Sequence, residues 1–221
     1  MKKFIHLKSC DSTQEVLKEQ LTQTPTDELI ISCDQQLKGH GRGENKWIDS
    51  PGTICFSLSV QPFQIPSFTA MELAVIIGKF FETKNQKIFL KWPNDLINTH
   101  GKKCGGVLIQ TFSNQYMAGI GLNLYFDEIE FGGIYDQSFS FSKESWSQEL
   151  ALYIYQHRYE DLDKLKHDWL KMCIHLDQQV HISDNNQSYE GKFIGIGDYG
   201  EALIETEIEL KSVFNGSLRL V

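Results

Sequence analysis

Lys91-Trp-Pro-Asn-Asp95 gathers a cation, an indole, a rigid turn, an amide and a carboxylate into five residues. The pentapeptide follows an apolar run, Lys87-Ile-Phe-Leu90, that reads as a buried strand. The five groups are therefore expected at a strand's C-terminal edge, where open α/β sheets usually bind ligands. At average residue usage such a string arises by chance on the order of once per 10⁷ starting positions. Gly195-x-Gly197-x-x-Gly200 imitates a dinucleotide fingerprint, but roughly 0.1 such matches are expected by chance in a chain of this length. It lies between two short strand-like pieces with no helix after it, so a nucleotide-binding oxidoreductase is set aside.

Four other constellations could carry chemistry. Gly39-His40-Gly41-Arg42-Gly43-Glu44-Asn45-Lys46-Trp47 alternates glycines with polar and charged residues. Each glycine loses extra backbone entropy on folding, so three suit a mobile loop whose amides approach an anion closely. Arg42 and Lys46 add charge and Trp47 a stacking face; an ordinary surface loop with incidental charges reads equally well. Lys102-Lys103-Cys104-Gly105-Gly106-Val107-Leu108 holds a lysine before two glycines and a strand, either a fixed point charge for a carboxylate or phosphate or a plain basic turn. Gly119-Ile-Gly121-Leu-Asn123 places alternate glycines in a strand, where a ligand comes close or the strand bulges. Ser12-Thr13-Gln14 is either the N-cap of a helix over Gln14–Leu21 or a set of hydroxyls and an amide facing a polar ligand.

The elements that position these groups follow from periodicity. Leu29–Cys33 and Ile54–Val60 read as strands, the second with serines alternating against apolar residues. Residues 67–83 carry apolar side chains at mostly helical spacing. Residues 105–112 and 116–126 read as two strands joined by Ser113-Asn114-Gln115, and residues 145–174 as helical. From Asp177 onward, short strand-like pieces separated by Asp184-Asn185-Asn186 and Gly197-Asp-Tyr-Gly200 turns read as a small β-barrel. That barrel is near the lower size limit for independent folding and is expected to lean on the rest.

With 221 residues, the chain suits one large domain or a large and a small one. A net charge of −8 argues against a dedicated nucleic-acid binder. Five cysteines, odd in number, widely spaced and without Cys-x-x-Cys, suit reduced thiols better than a disulfide framework or a zinc site. The N-terminus has no long apolar segment, and nothing reaches membrane-spanning length. The expectation is a soluble, cytoplasmic protein.

The glycine-rich cationic loop, Lys-Trp-Pro-Asn-Asp, Lys-x-Gly-Gly and Gly-x-Gly-x-Asn, in this order, resemble the biotin protein ligase family over nearly the whole chain. The resemblance implies an α+β fold: a central mixed β-sheet flanked by helices, of the class II synthetase type. It implies a catalytic biotin- and ATP-binding domain over residues 1–175 and an SH3-like C-terminal domain over 176–221. The family's loop usually reads Gly-Arg-Gly-Arg. Here Arg42 and Trp47 match, His40 replaces the first arginine, and Asn45 stands where many relatives carry another basic residue. A winged-helix segment before residue 1 is not expected, so the repressor function of some relatives is not implied.

What the resemblance implies chemically is two steps. Biotin's carboxylate attacks the α-phosphate of ATP, giving biotinyl-5′-adenylate and pyrophosphate; a lysine of a biotin carboxyl-carrier domain then takes the biotinyl group and releases AMP. Lys103 and Arg42 are the implied catalytic residues. Ser12, Thr13, Gln14, Gln36, Gly39, Arg42, Lys103, Gly105, Gly106, Gly119 and Gly121 are implied around biotin. His40, Arg42, Trp47, Lys91, Asn94, Lys103 and Asn123 are implied around ATP, with Asp95 holding Mg²⁺. Two rivals are a lipoate- or octanoyl-handling enzyme of the same broad fold, with an apolar channel for a longer chain, and a catalytically silent biotin or nucleotide sensor. A homodimer is possible, with 119–126 or the C-terminal strands as candidate pairing edges; no nucleic-acid or membrane partner is expected.

Overall fold

Every residue of Thr53–Val60 is buried, the alternating serines included. Ile54, Phe56, Leu58 and Val60 enter the main apolar core, while Ser57 bonds the Thr13 hydroxyl and Ser59 accepts from the Leu29 amide. Small polar side chains can be buried on a second face because each finds a partner. This strand is the middle of the architecture.

The computed structural model describes residues 2–24, 26, 28–43, 45–126, 131–183 and 187–221. The elements are β1 (Lys3–Cys10), α1 (Thr13–Gln23), β2 (Leu29–Gln36), β3 (Gly39–His40), β4 (Lys46–Trp47), β5 (Thr53–Val60), a 3₁₀ turn (Pro66–Phe68) and α2 (Thr69–Glu82). Then come β6 (Phe89–Lys91), β7 (Asp95–Ile97), β8 (Lys103–Phe112), β9 (Gln115–Asn123), α3 (Lys143–Gln156) and α4 (Leu162–Met172). The last are β10 (Gln179–Ser183), β11 (Ser188–Ile196), β12 (Ala202–Glu205), β13 (Leu210–Val213) and β14 (Ser217–Leu220). The Asp184-Asn185-Asn186 turn expected from the sequence lies outside the described residues.

Among the described residues, seven strands form a mixed sheet in the order β1-β2-β5-β9-β8-β7-β6, parallel at β1–β2 and antiparallel elsewhere. Helix α1 covers one face through Leu17 and Leu21, which pack with Leu29, Ile31 and Met117. Helix α2, apolar on most of its surface, fills the other face between the sheet and α3 and α4. The helical texture of 145–174 is two helices, not one. Asp161 caps the second, accepting from the Lys164 amide at 3.0 Å. Strand β9 pairs on both sides, with β5 and β8. The suggestion that 119–126 offers a pairing edge is therefore corrected: its ladder is already filled. The outer strands of the large sheet are β1 and β6.

The second sheet is antiparallel, in the order β13-β12-β11-β10-β14. It does lean on the first. Val180, Ile182, Phe193 and Ile196 belong to the same continuous core as α2 and β6. Trp92 of the Lys-Trp-Pro-Asn-Asp string is 1% exposed and donates its indole N–H to the Gly200 carbonyl at 2.9 Å. Its ring fastens the small sheet to the large one, and Trp92 also lines the cavity described below. Gly200 adopts φ +80° and packs on Met71 and Phe68, which accounts for the last glycine of the false fingerprint.

His175 sits at this junction, fully buried, with its ring edge-on to Phe193 at 4.2 Å and to Trp169 at 6.1 Å. Neither ring nitrogen has a hydrogen-bond partner among the described residues. Burial, then the Lys91 charge, lowers its pKa from the ordinary 6.5 to about 3. Above pH 6.5 both folded and unfolded chains hold a neutral ring. As pH falls from 6.5 toward 3, only the unfolded chain takes up the proton, so stability falls with pH by up to about 3–5 kcal/mol. His175→Leu is expected to flatten this slope in urea titrations between pH 6.5 and 4; an unchanged slope would contradict it.

Candidate active site

The ends of β2, β5, β8 and β9, the N-terminus of α1 and the β3–β4 hairpin surround a cavity of ≈ 340 Å³. Ser12 occupies the N-cap position of α1 with extended backbone, yet its hydroxyl makes no capping bond. Helix α1 starts at Thr13, one residue before the expected start. The Thr13 amide and hydroxyl both donate to Gln36 Oε1 at 2.9 and 3.1 Å. Gln14 crosses to β8, where its Nε2 donates to the Leu108 carbonyl at 3.2 Å, while its buried Oε1 has no partner among the described residues. An unpartnered buried acceptor in a cavity wall suits a ligand N–H.

The glycines of β9 are explained by close approach. A Cβ at Gly119 would lie 2.9 Å from Gln14 Nε2, and one at Gly121 would lie 2.5 Å from the Trp47 ring. The Trp47 indole lies against this bare backbone and points its N–H at Cys55 Sγ, 3.1 Å away on β5. Gly121→Val is therefore expected to push the indole off the strand. The Trp47 contribution to fluorescence, isolated against Trp47→Phe, should shift to the red; an unshifted spectrum would show that the ring has another seat.

The glycine-rich segment is a two-stranded hairpin, with Gly39 opposite Trp47 and His40 opposite Lys46. Gly41 N–H donates to the Asn45 carbonyl at 2.7 Å and closes the turn. From its tip, Arg42 reaches inward. Its Nη1 donates to Asn94 Oδ1 at 3.3 Å and its Nη2 to the Gly216 carbonyl at 2.5 Å. Asn94 in turn donates to the Val107 carbonyl at 2.7 Å. Gly216, Ser217 and Leu218 of the small sheet thereby join the cavity wall. That contribution was not foreseen from the sequence, because nothing in Asn215-Gly-Ser217 marks it apart from any turn.

Opposite Arg42, β6 and β7 form a tight hairpin in which Lys91 is the register partner of Asp95. Lys103, at the start of β8, places its Nζ 2.5 Å from Asp95 Oδ1, and Lys91 Nζ lies 3.6 Å from Asp95 Oδ2. The backbone of Lys103 is fixed by the Gly132 amide, which donates to its carbonyl at 3.0 Å. Asn123 lies buried in the floor and accepts from the Thr53 hydroxyl at 3.1 Å. The cavity can thus receive a polar neutral group beside Ser12, Thr13, Gln14 and Gln36, and anions beside Lys103, Lys91 and Arg42.

Of the seventeen site residues implied by the resemblance, fifteen line this one cavity: Ser12, Thr13, Gln14, Gln36, His40, Arg42, Trp47, Lys91, Asn94, Asp95, Lys103, Gly106, Gly119, Gly121 and Asn123. Gly39 and Gly105 do not. Gly39 packs on Gln36 and Trp47, and Gly105 on Leu122, Leu96 and the Gly121 carbonyl. All five cysteines are unpaired, and burial pushes the Cys104 and Cys173 thiols up to about 12. No described helix is long and apolar enough to cross a membrane.

The fold is shared with solved structures. A biotin protein ligase from Aquifex aeolicus, solved with biotin and ATP, is 26% identical, with TM-score 0.86 and full coverage of both chains. A biotin acetyl coenzyme A carboxylase synthetase from Helicobacter pylori, solved with biotinylated ATP, shares the fold at 21% identity, with TM-score 0.72 and coverage of 96% of this chain and 100% of that one. The bifunctional ligase/repressor BirA of Bacillus spizizenii is 23% identical over 232 residues, 95% of this chain and 71% of that protein. The family model for biotin/lipoate A/B protein ligases matches residues 6–127, more than half of the sequence and nearly every residue of the cavity wall. The chain belongs to the biotin/lipoate A/B protein ligase family.

Proposed function

We propose that this chain is a biotin protein ligase that activates biotin with ATP and passes it to a lysine of a biotin carboxyl-carrier domain. The observation that carries this reading is the position of one ammonium, Lys103, between a neutral hydrogen-bonding wall and a cationic rim. The ureido ring of biotin offers one carbonyl and two N–H groups, which match the hydroxyls and amides of Ser12, Thr13, Gln14 and Gln36. Its carboxylate then points to Lys103.

Adenylation joins two anions. The carboxylate oxygen bonds to the α-phosphorus of ATP as the bond to the bridging oxygen breaks, and pyrophosphate leaves with that electron pair. Lys103 lowers the repulsion between the reactants and stabilises charge on the non-bridging oxygens. Lys91 and Arg42 meet the phosphates, and the hairpin carrying Arg42 and Trp47 shields the mixed anhydride from water. The carrier lysine's amine next attacks the acyl carbon, and AMP departs. Among the described residues no group of three or more His, Cys, Asp or Glu converges on a metal site. One carboxylate fits Mg²⁺, which takes much of its shell from phosphate and water. Asp95 is its ligand in this reading, and the ion, when bound, neutralises phosphate charge.

Residues 1–175 supply the biotin and nucleotide walls, and residues 176–221 act as a docked second unit whose Gly216 holds Arg42. The wall combines Ser12, Thr13, Gln14 and Gln36 with apolar side chains such as Ile48, Val107, Leu108 and Ile120, and it is the polar cluster that suits the ureido ring of biotin better than a lipoyl chain. The test is incubation with biotin, Mg-ATP and a biotin carboxyl-carrier domain, read by intact mass. Gain of one biotinyl group that depends on both small molecules is expected. Acylation with lipoate but not biotin would reassign the substrate, and biotin binding without transfer would favour a sensor.

A further inference from the structure

We propose that Asp95 is the internal counter-ion of Lys103, a resident carboxylate that the substrate's carboxylate must displace, and that it thereby sets how strongly the empty pocket attracts acids. The inference rests on the biotin reading above. Three observations carry it. The Asp95 carboxylate faces two of the three lysines that line the cavity, at 2.5 Å from Lys103 and 3.6 Å from Lys91. It is held in place: Trp92 and Asn94 pin the preceding turn through the Gly200 and Val107 carbonyls, and β7 pairs Asp95 with Gly106. Finally, the Lys103 side chain reaches Asp95 by running forward along its own strand, beside Gly106. A Cβ built on Gly106 would touch its Cε and Nζ at 3.8 Å. The other acidic residue of the wall among the described residues, Glu15, is exposed and faces Lys18 instead.

An ammonium already paired with a carboxylate gains little when a second carboxylate takes the first one's place. The free enzyme should therefore barely distinguish biotin from an analogue without the charge. Removing the charge of Asp95 should unmask Lys103 toward biotin while loosening the placement that adenylation needs. Asp95 is in this sense a positioning residue, and ground-state affinity and turnover should move in opposite directions when it is changed.

The experiment is calorimetric titration of wild type and Asp95→Asn with biotin and with biotinol, its neutral alcohol, without nucleotide or metal. Wild type is expected to bind the two within about threefold of each other. Asp95→Asn is expected to bind biotin about tenfold tighter, a gain of the size of one charge pair, with biotinol affinity unchanged and the rate of adenylation lowered. Adding Lys103→Met to Asp95→Asn should cancel the gain. A folded Asp95→Asn protein whose biotin-to-biotinol ratio equals that of wild type overturns the proposal. So does a wild-type preference for biotin above about thirtyfold, which decides the matter even if the variant does not fold. If wild type binds neither compound, the biotin reading itself fails.

Discussion

Lys103→Met is expected to slow biotin-dependent pyrophosphate exchange by a factor on the order of 10²–10³, the loss typical of one preorganised charge contact at a developing oxyanion. Methionine keeps most of the length of the side chain. Position 103 is partly exposed and its main chain is fixed by pairing with β7 and by the Gly132 amide, so the fold should persist. Asp95 keeps Lys91 as a neighbour, so no carboxylate is stranded in an apolar site. Unchanged urea midpoint with lost exchange would separate chemistry from folding. Exchange at near wild-type rate would remove Lys103 from the centre of the mechanism.

Arg158→Met is expected to destabilise the protein by about 3–5 kcal/mol, the cost of leaving a buried charge without its partner. Glu72 is fully buried on α2. Arg158 meets it through two parallel bonds of 2.7 Å, from Nε and Nη2, and the Tyr159 amide adds a third at 2.8 Å. The same guanidinium donates to the Gln61 carbonyl at 2.9 Å, so one side chain ties the end of β5, helix α2 and the α3–α4 connection together. The loss should show as a lower urea midpoint with an unchanged denaturant slope. Activity per folded molecule should not change, because the clamp lies outside the cavity wall. A loss below about 1 kcal/mol would mean that water or a neighbouring group satisfies Glu72.

Much of the site was legible because its chemistry is local in sequence. The Lys103 segment, the alternate glycines of β9 and the string at 91–95 each pack their distinguishing residues within five or six positions. What could not be read were partnerships between distant segments. Trp92 and Gly200 are 108 residues apart, Arg42 and Gly216 are 174 apart, and Glu72 and Arg158 are 86 apart. No spacing rule links such pairs. Strand β1 was missed for another reason. It is an edge strand whose His6, Lys8 and Ser9 leave only Phe4, Ile5 and Leu7 as apolar residues, too few to alternate clearly. The burial of the β5 serines was equally hidden, because burial of a small hydroxyl depends on a partner that periodicity does not reveal.

The most direct test of the account follows an oxygen atom. Biotin carrying ¹⁸O in both carboxylate positions is incubated with the protein, Mg-ATP and a biotin carboxyl-carrier domain, and the released nucleotide is weighed. If the carboxylate held at Lys103 attacks the α-phosphate and the carrier amine then cleaves the anhydride, AMP must carry one heavy oxygen and the pyrophosphate none. Unlabelled AMP, or label appearing in inorganic phosphate beside ADP, would contradict it.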